Sequence, residues 1–213
     1  MLTIDKWPRM PTLTVRFFRH GESAANAGAA TSDPATIPLT QLGHEQARAV
    51  SSSFGAAPDL IVCSPFQRVR QTAAPTLARF AAVPVEFWQI QEFTYLAPAR
   101  CAHTTPEQRK PWVAQYWDAA DPLAVDGLEA ESFAAFMWRV SAALDRMAGL
   151  PLVSVALFGH GQHMQAVRWS IASQPLVIDA NAMRSFRAFD LAHPIANCAG
   201  FQATHEDGSW SLL

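Results

Sequence analysis

Two apolar runs that each stop at a histidine constrain this chain more than any other feature. Val15-Arg16-Phe17-Phe18 ends in Arg19-His20-Gly21-Glu22-Ser23, and Val153-Ser154-Val155-Ala156-Leu157-Phe158 ends in Gly159-His160-Gly161. Each run is β-rich, and each gives way to residues that can open a helix. Both histidines therefore fall at carboxyl ends of strands, the edge where open α/β sheets collect ligands. A helix N-terminus just beyond adds unpaired N–H groups suited to an anion. Two such turns point to two imidazoles facing one pocket.

The remaining composition supports one soluble domain over residues 1–213. Half of the residues are hydrophobic, enough for a full core, and the net charge of -2 leaves no basic excess for nucleic acid or an anionic membrane. Any anion site is thus a small local cluster. The three cysteines, Cys63, Cys101 and Cys198, are far apart and form no CxxC pair, which fits a reducing cytoplasm better than a disulfide framework. Met1 to Pro11 has no apolar stretch of the kind that directs export, and no later run reaches the length of a membrane span.

Taken in order, residues 1–11 read as an irregular lead and Leu13 to Phe18 as the first strand. Thr40 is a candidate N-cap for a helix to about Phe54, with Ala47, Val50 and Phe54 inward. Asp59 to Cys63 is a short strand of the kind buried on both faces. Ser64-Pro65 predicts a helix start, with Arg68 one turn in and a kink at Pro75. A strand near Val83 to Trp88 leads to Glu92. The stretch 95–127, with four prolines, predicts an irregular insert over the pocket containing a helix from about Thr105 to Asp118. Its Trp112, Tyr116 and Trp117 suggest an exposed patch for a lid or a homodimer. Phe133, Phe136, Met137, Val140, Leu144 and Met147 form a core-facing helical stripe. A strand from Leu152 to Phe158 and a helix through Val167 and Ile171 follow. Ser185 to Leu191 and Ala199 to Leu213 read as two or three strands, with Asp207-Gly208 a hairpin turn. Strands alternating with helices predict a three-layer αβα sandwich on a mostly parallel, mixed sheet.

If Arg19, His20, Arg68 and His160 converge, two guanidiniums and two imidazoles, with the Gly21 and Gly161 amides, make a cup for a tetrahedral dianion. A neutral imidazole can attack phosphorus and form a phosphohistidine that water hydrolyses. Arginines and a second, protonated histidine would stabilise the equatorial oxygens, and no metal or other cofactor is required. Glu92, just past a strand end, is the best-placed proton donor.

The order of the motifs resembles the histidine phosphatase superfamily, the phosphoglycerate mutase-like family. The resemblance is carried by Arg19-His20-Gly21-Glu22-Ser23 with Asn26, Pro38-Leu39-Thr40-x-x-Gly43-x-x-Gln46-Ala47, Ser64-Pro65-x-x-Arg68-x-x-Gln71-Thr72-Ala73, Glu92, Glu131-Ser132 and Gly159-His160-Gly161. It implies that His20 is the nucleophile, that Arg19, Arg68 and His160 bind the phosphoryl group, that Asn26 lies near it and that Glu92 donates the proton. Phosphoglycerate mutases carry a Glu-Arg-His-Tyr-Gly run at the donor; here the run is Glu92-Phe93-Thr94-Tyr95-Leu96, which favours a phosphatase of a small phosphorylated substrate.

Two other readings stay open: a mutase, and a non-catalytic module that binds a phosphorylated ligand. Among single residues, His44 and His163 read as surface or supporting histidines, and Cys63 as a buried strand thiol. Arg100, His103, Arg109 and Lys110 are either a second substrate contact or a solvated charged loop.

Overall fold

The computed structural model describes residues 11–175 and 177–213, so the predicted lead lies, apart from Pro11, outside the described residues. In chain order the elements are β1 (Leu13–Arg19), α1 (Gln41–Ser52), β2 (Leu60–Cys63), α2 (Gln67–Arg79), β3 (Val85–Phe87), α3 (Pro98–Cys101), α4 (Pro106–Ala119), α5 (Phe133–Ala148), β4 (Ser154–Gly159), α6 (Gly161–Ser173), α7 (Ala180–Ala192), β5 (Gly200–Glu206) and β6 (Ser209–Leu212). The six strands lie in the order β3-β2-β4-β1-β5-β6. From β3 to β1 the pairing is parallel, and β5 and β6 add antiparallel.

Alternation along the three central strands splits the core into two layers, because successive side chains leave opposite faces. Val15, Phe17, Val62, Val155 and Leu157 face one side, where Phe133, Phe136, Met164 and Phe186 cover them. Phe18, Ile61, Cys63, Ala156 and Phe158 face the other, against Val50, Phe54, Val69 and Ala73. Helices α1 and α2 therefore form one outer layer and α5, α6 and α7 the other. This is the predicted αβα sandwich.

Several local expectations hold for the stated reasons. The Thr40 side chain caps α1 and accepts from the Gly43 amide at 3.1 Å. Ser132 caps α5, whose predicted stripe is buried. Asp207 and Gly208 both have positive φ, at 47° and 80°, as a tight two-residue hairpin requires.

Four expectations are corrected. First, α2 starts at Gln67 with Phe66 as its uncapped N-cap, so Ser64 and Pro65 precede the helix instead of opening it. It also runs on through Pro75 to Arg79. Second, the strand expected over Val83 to Trp88 shrinks to the three residues of β3 at the sheet edge. Third, Ser185 to Leu191 is helical. It lies within α7, where Asp179 caps the N-terminus and Met183 and Phe186, three apart, are fully buried. Fourth, Tyr116 and Trp117 are buried in the larger core cluster, with Trp112 partly buried against it, so the aromatic patch predicted for a lid or dimer is not exposed.

Candidate active site

The sheet order sets up the site. Strands β2, β4 and β1 are neighbours, and their carboxyl ends deliver Ser64, His160 and His20 side by side. Ser64 N donates to Phe158 O at 3.1 Å and His20 N to Gly159 O at 3.0 Å, which extends both ladders to the three tips. The histidine rings meet edge to face with centroids 5.3 Å apart.

Arg68, from the first turn of α2, ties these tips together. Its Nε donates to His20 Nε2 at 3.2 Å, its Nη2 lies 3.0 Å from His160 Nδ1, and its Nη1 donates to Pro34 O at 2.6 Å. Arginine has no acceptor, so His160 Nδ1 must accept. Its Nε2–H then donates to Ser64 Oγ, 2.8 Å away. His20 Nδ1 lies 2.7 Å from Gly21 O, a contact that only an N–H can make favourably. That fixes the His20 tautomer and leaves Nε2 as the acceptor of the Arg68 Nε–H.

Burial and adjacent guanidiniums keep both rings neutral. The His20 pKa falls to about 3, chiefly by burial and then by Arg68, while that of His160 is pushed well below 6.5 by the same two causes. A protonated His160 was expected. Instead it is a neutral, fully buried ring with both nitrogens engaged. In this arrangement it positions Arg68 and does not line the cavity.

Arg19 reaches the cavity from the last position of β1. Its Nη1 donates to Ile195 O at 2.5 Å, but its buried Nε–H has no partner among the described residues. A buried orphan donor on a guanidinium beside His20 is suited to an anionic oxygen. Gly161 opens α6 directly against it: a Cβ there would come 3.4 Å from Arg19 Nε. Gly21 serves packing and not anion binding. Its amide is spent on Thr72 Oγ1 at 3.0 Å, and a Cβ would meet Gly43 O at 2.6 Å.

Glu92 lines the same cavity and is fixed by two elements. Its Oε1 accepts from the Gln162 and His163 amides at the start of α6, at 2.9 and 3.3 Å. Arg139 of α5 donates to the carbonyls of Gln91 and Glu92 and pairs with Glu131 at 2.6 Å, bracing the backbone around it. With Oε1 occupied, Oε2 is the oxygen left to carry a proton. Burial raises the Glu92 pKa, while Arg68 and Arg19 pull the other way without cancelling it.

Asn26 also lines the cavity, its Oδ1 accepting from Ser23 and from Asn197 Nδ2 at 3.1 Å. Asn197 donates to His20 O as well, at 3.0 Å, and so steadies the backbone at His20. Neither Asn197 nor Ser64 carries a site role in the sequence reading. Position beside Pro65 made Ser64 look like a helix cap, and nothing local marks Asn197. The other motif residues act as braces: Gln46 Oε1 accepts from Glu22 N, Gln71 Oε1 from Leu39 N, and Thr40 Oγ donates to Glu22 Oε1.

Outside the cup, His163 is fully buried and not at the surface, and neither ring nitrogen has a partner among the described residues. Arg100 pairs with Asp126 and Lys110 with Glu107. Arg109 lines the cavity, and His103 is exposed, 3.3 Å from Ser32 Oγ. Cys63 is buried, as expected. Among the described residues no three His, Cys, Asp or Glu side chains cluster as metal ligands, and no helix is long and apolar enough to cross a membrane.

Comparison with known proteins agrees with this geometry. Residues 15–208 match the model of the histidine phosphatase superfamily (branch 1). The fold is similar to that of the α-ribazole phosphatase of Shigella flexneri, with a TM-score of 0.75 and 20% identity over 94% of this chain and 95% of that one. A mycobacterial glucosyl-3-phosphoglycerate phosphatase gives 0.71 and 20% over 94% and 97%. Phosphoserine phosphatase of Entamoeba histolytica, in complex with 3-phosphoglyceric acid, gives 0.68 and 16% over 94% of each chain. No curated protein sequence matches. The chain belongs to the histidine phosphatase superfamily.

Proposed function

We propose that this member of the superfamily is a metal-independent phosphomonoesterase acting through a phosphohistidine at His20, in the cytoplasm. The observation that carries the reading is the His20 ring: neutral, its Nδ1–H given to Gly21 O, and its Nε2 lone pair held only by the Arg68 Nε–H, in a cavity that Arg19, Arg68 and Glu92 also line.

The residues divide the reaction as follows. An incoming phosphoryl group takes the Arg19 Nε–H and draws the Arg68 guanidinium off His20, freeing the lone pair. His20 Nε2 attacks phosphorus; the N–P bond forms as the ester P–O bond breaks, and the leaving oxygen takes the proton from Glu92 Oε2. Water then attacks the phosphohistidine and gives a proton to the Glu92 carboxylate. The P–N bond breaks, releasing inorganic phosphate and restoring both groups. Arg19 and Arg68 hold the equatorial oxygens in each half. His160 acts through Arg68, to which its Nδ1 is bonded.

A phosphatase is favoured over a mutase by the donor run, because Phe93 after Glu92 is a core residue packed on Phe136. The similar structures act, by their names, on different alcohols, so likeness of fold leaves this substrate open. The test is phosphate release from p-nitrophenyl phosphate with EDTA present, in wild type and His20→Ala, with trapping of an acid-labile phosphoenzyme. Activity lost in EDTA, or kept by His20→Ala, would overturn the reading.

A further inference from the structure

Three guanidiniums line the cavity, those of Arg19, Arg68 and Arg109, against one acidic side chain among the described residues there, Glu92. None of the three forms an ion pair among the described residues, and burial holds Glu92 toward its protonated form. A phosphoryl dianion in the cup answers two of these charges. The third, on Arg109, stays uncompensated, and an unpaired guanidinium in a half-buried site calls for an anion.

Arg109 belongs to a different part of the molecule from the cup. It stands near the start of α4, and Val113, four residues on, lines the cavity from the same helix face. Only neutral acceptors hold its guanidinium. Nε donates to Thr104 Oγ1 at 2.7 Å, and Nη2 donates to Thr104 O, Cys101 O and Thr31 Oγ1 at 2.6, 3.1 and 3.1 Å. These contacts fix the plane of the group across the Thr31–Thr104 bridge without neutralising it. Nη1 keeps both of its N–H groups without a partner among the described residues. The neighbouring cations of the insert differ, Arg100 being paired with Asp126 and Lys110 with Glu107.

Resting on the phosphatase reading of the cup, we propose that Arg109 reads a carboxylate on the alcohol half of the substrate, which makes the substrate a compact phosphorylated carboxylic acid. A guanidinium already fixed in place loses little freedom on binding, and its free N–H groups suit charge-assisted bonds to a carboxylate. Size favours a carboxylate over a second phosphoryl group. The cavity volume, about 280 Å³, is close to the lower limit of the roughly 300–1,000 Å³ usual for small-molecule sites, and the first phosphoryl group takes part of it. Thr31, Ser32 and Thr94 line the same space and offer hydroxyl groups to other polar atoms of such a molecule.

Calorimetric titration of the full chain with phosphonoacetate, 3-phosphonopropionate and 4-phosphonobutyrate, each against its neutral carboxamide, tests the assignment without requiring turnover or a known span. The tightest acid is expected to bind about tenfold better than its amide, and in Arg109→Gln that ratio is expected to fall to about one. Loosening of the insert by the substitution would weaken acid and amide alike, so the ratio separates charge reading from bracing. Equal binding of acids and amides to wild type would overturn the inference, as would an acid preference kept by Arg109→Gln or failure of every phosphonate to bind. Propane-1,3-diphosphonate binding more than about tenfold tighter than the best carboxylate would replace the carboxylate with a second phosphate. Phosphate release from p-nitrophenyl phosphate, measured alongside, addresses the cup alone. Release without an acid preference rejects this inference and keeps the phosphatase; an acid preference without release from any ester does the reverse.

Discussion

His20 and His160 terminate neighbouring strands in one register, Arg19 opposite Gly159, yet their surroundings differ sharply. His20 lines the cavity, and its Nε2 lone pair accepts from Arg68 Nε alone. His160 is fully buried, with one nitrogen on Ser64 and the other on Arg68. Both strands are interior, but their outer neighbours run in opposite directions: parallel β2 brings its carboxyl end, and with it Ser64, to the His160 ring, whereas antiparallel β5 brings its amino end, Gly200, beside Phe18. The same local grammar, apolar run then histidine then glycine, thus places the proposed nucleophile at one strand and a buried support at the next.

The largest test of this contrast is substitution of each ring. His20→Ala is expected to lower kcat for p-nitrophenyl phosphate by about 10⁴-fold or more, because it removes the atom that bonds to phosphorus. His160→Ala, acting through Arg68, is expected to cost about 10²-fold. Steady-state rates that fall equally would abolish the distinction drawn here.

Next in size is Glu92, the proton donor of the proposed reaction. Glu92→Gln should lower kcat for an alkyl phosphate by about 10²–10³-fold and for p-nitrophenyl phosphate far less, since nitrophenolate leaves without a proton. The pH profile sharpens the point. Protonation of His20 removes activity only as pH falls toward about 3, whereas turnover of the alkyl ester declines as pH rises through the elevated Glu92 pKa. The variant should lose that alkaline limb, and a profile unchanged by the substitution would remove Glu92 from the proton path.

Smaller again is Ser64→Ala, which leaves His160 Nε2–H without its acceptor. About tenfold in kcat/KM is expected. Combined with His160→Ala it should cost little more than His160→Ala alone, because the two act in one chain of contacts. Full additivity would show Ser64 working independently of the ring.

The smallest effect is on stability and concerns a third histidine, His163, which has the burial of His160 without its partners. Its folded pKa is lowered to about 3, below the ordinary 6.5, so the unfolded chain binds the proton more readily. Stability is therefore full above about 6.5 and lost as pH falls through the interval down to about 3. His20 and His160 contribute with the same sign. His163→Leu should raise Tm at pH 5 relative to wild type more than at pH 7.5, an effect of about 1 kcal/mol that melting curves at the two pH values can read. A shift equal at both would mean that the ring's protonation carries no share of the acid loss.

Where the sequence was legible, local chemistry and tertiary outcome agree. Thr40 caps a helix wherever that helix packs, and Phe133 to Met147 have the period of their own buried face. His20, Arg68, Glu92 and Arg19 were readable because strand ends and a following turn place them on one edge. What could not be read depends on neighbours across the sheet. Ser64 caps no helix because His160 arrives from β4 to take its hydroxyl. The Gly21 amide is lost to Thr72, 51 residues away. Ser185 to Leu191 alternates polar and apolar like a strand, while Met183 and Phe186 have the helical spacing that the core selects. Tyr116 and Trp117 read as exposed from sequence alone because their cover, Phe93, Phe133 and Phe186, comes from three other segments.

The Arg68 contacts have a further consequence for how the molecule assembles. They join His20 across 48 residues and His160 across 92, and the Ser64–His160 bond spans 96. Such distant pairings form late, after the loops between them have closed, and parallel sheets of high contact order are slow to complete. The oxyanion cup therefore exists only in chains whose central strands have all docked. Vanadate or phosphate should bind none of the partly folded forms, draw the population toward the native one by mass action, and serve as a probe for the final step of refolding.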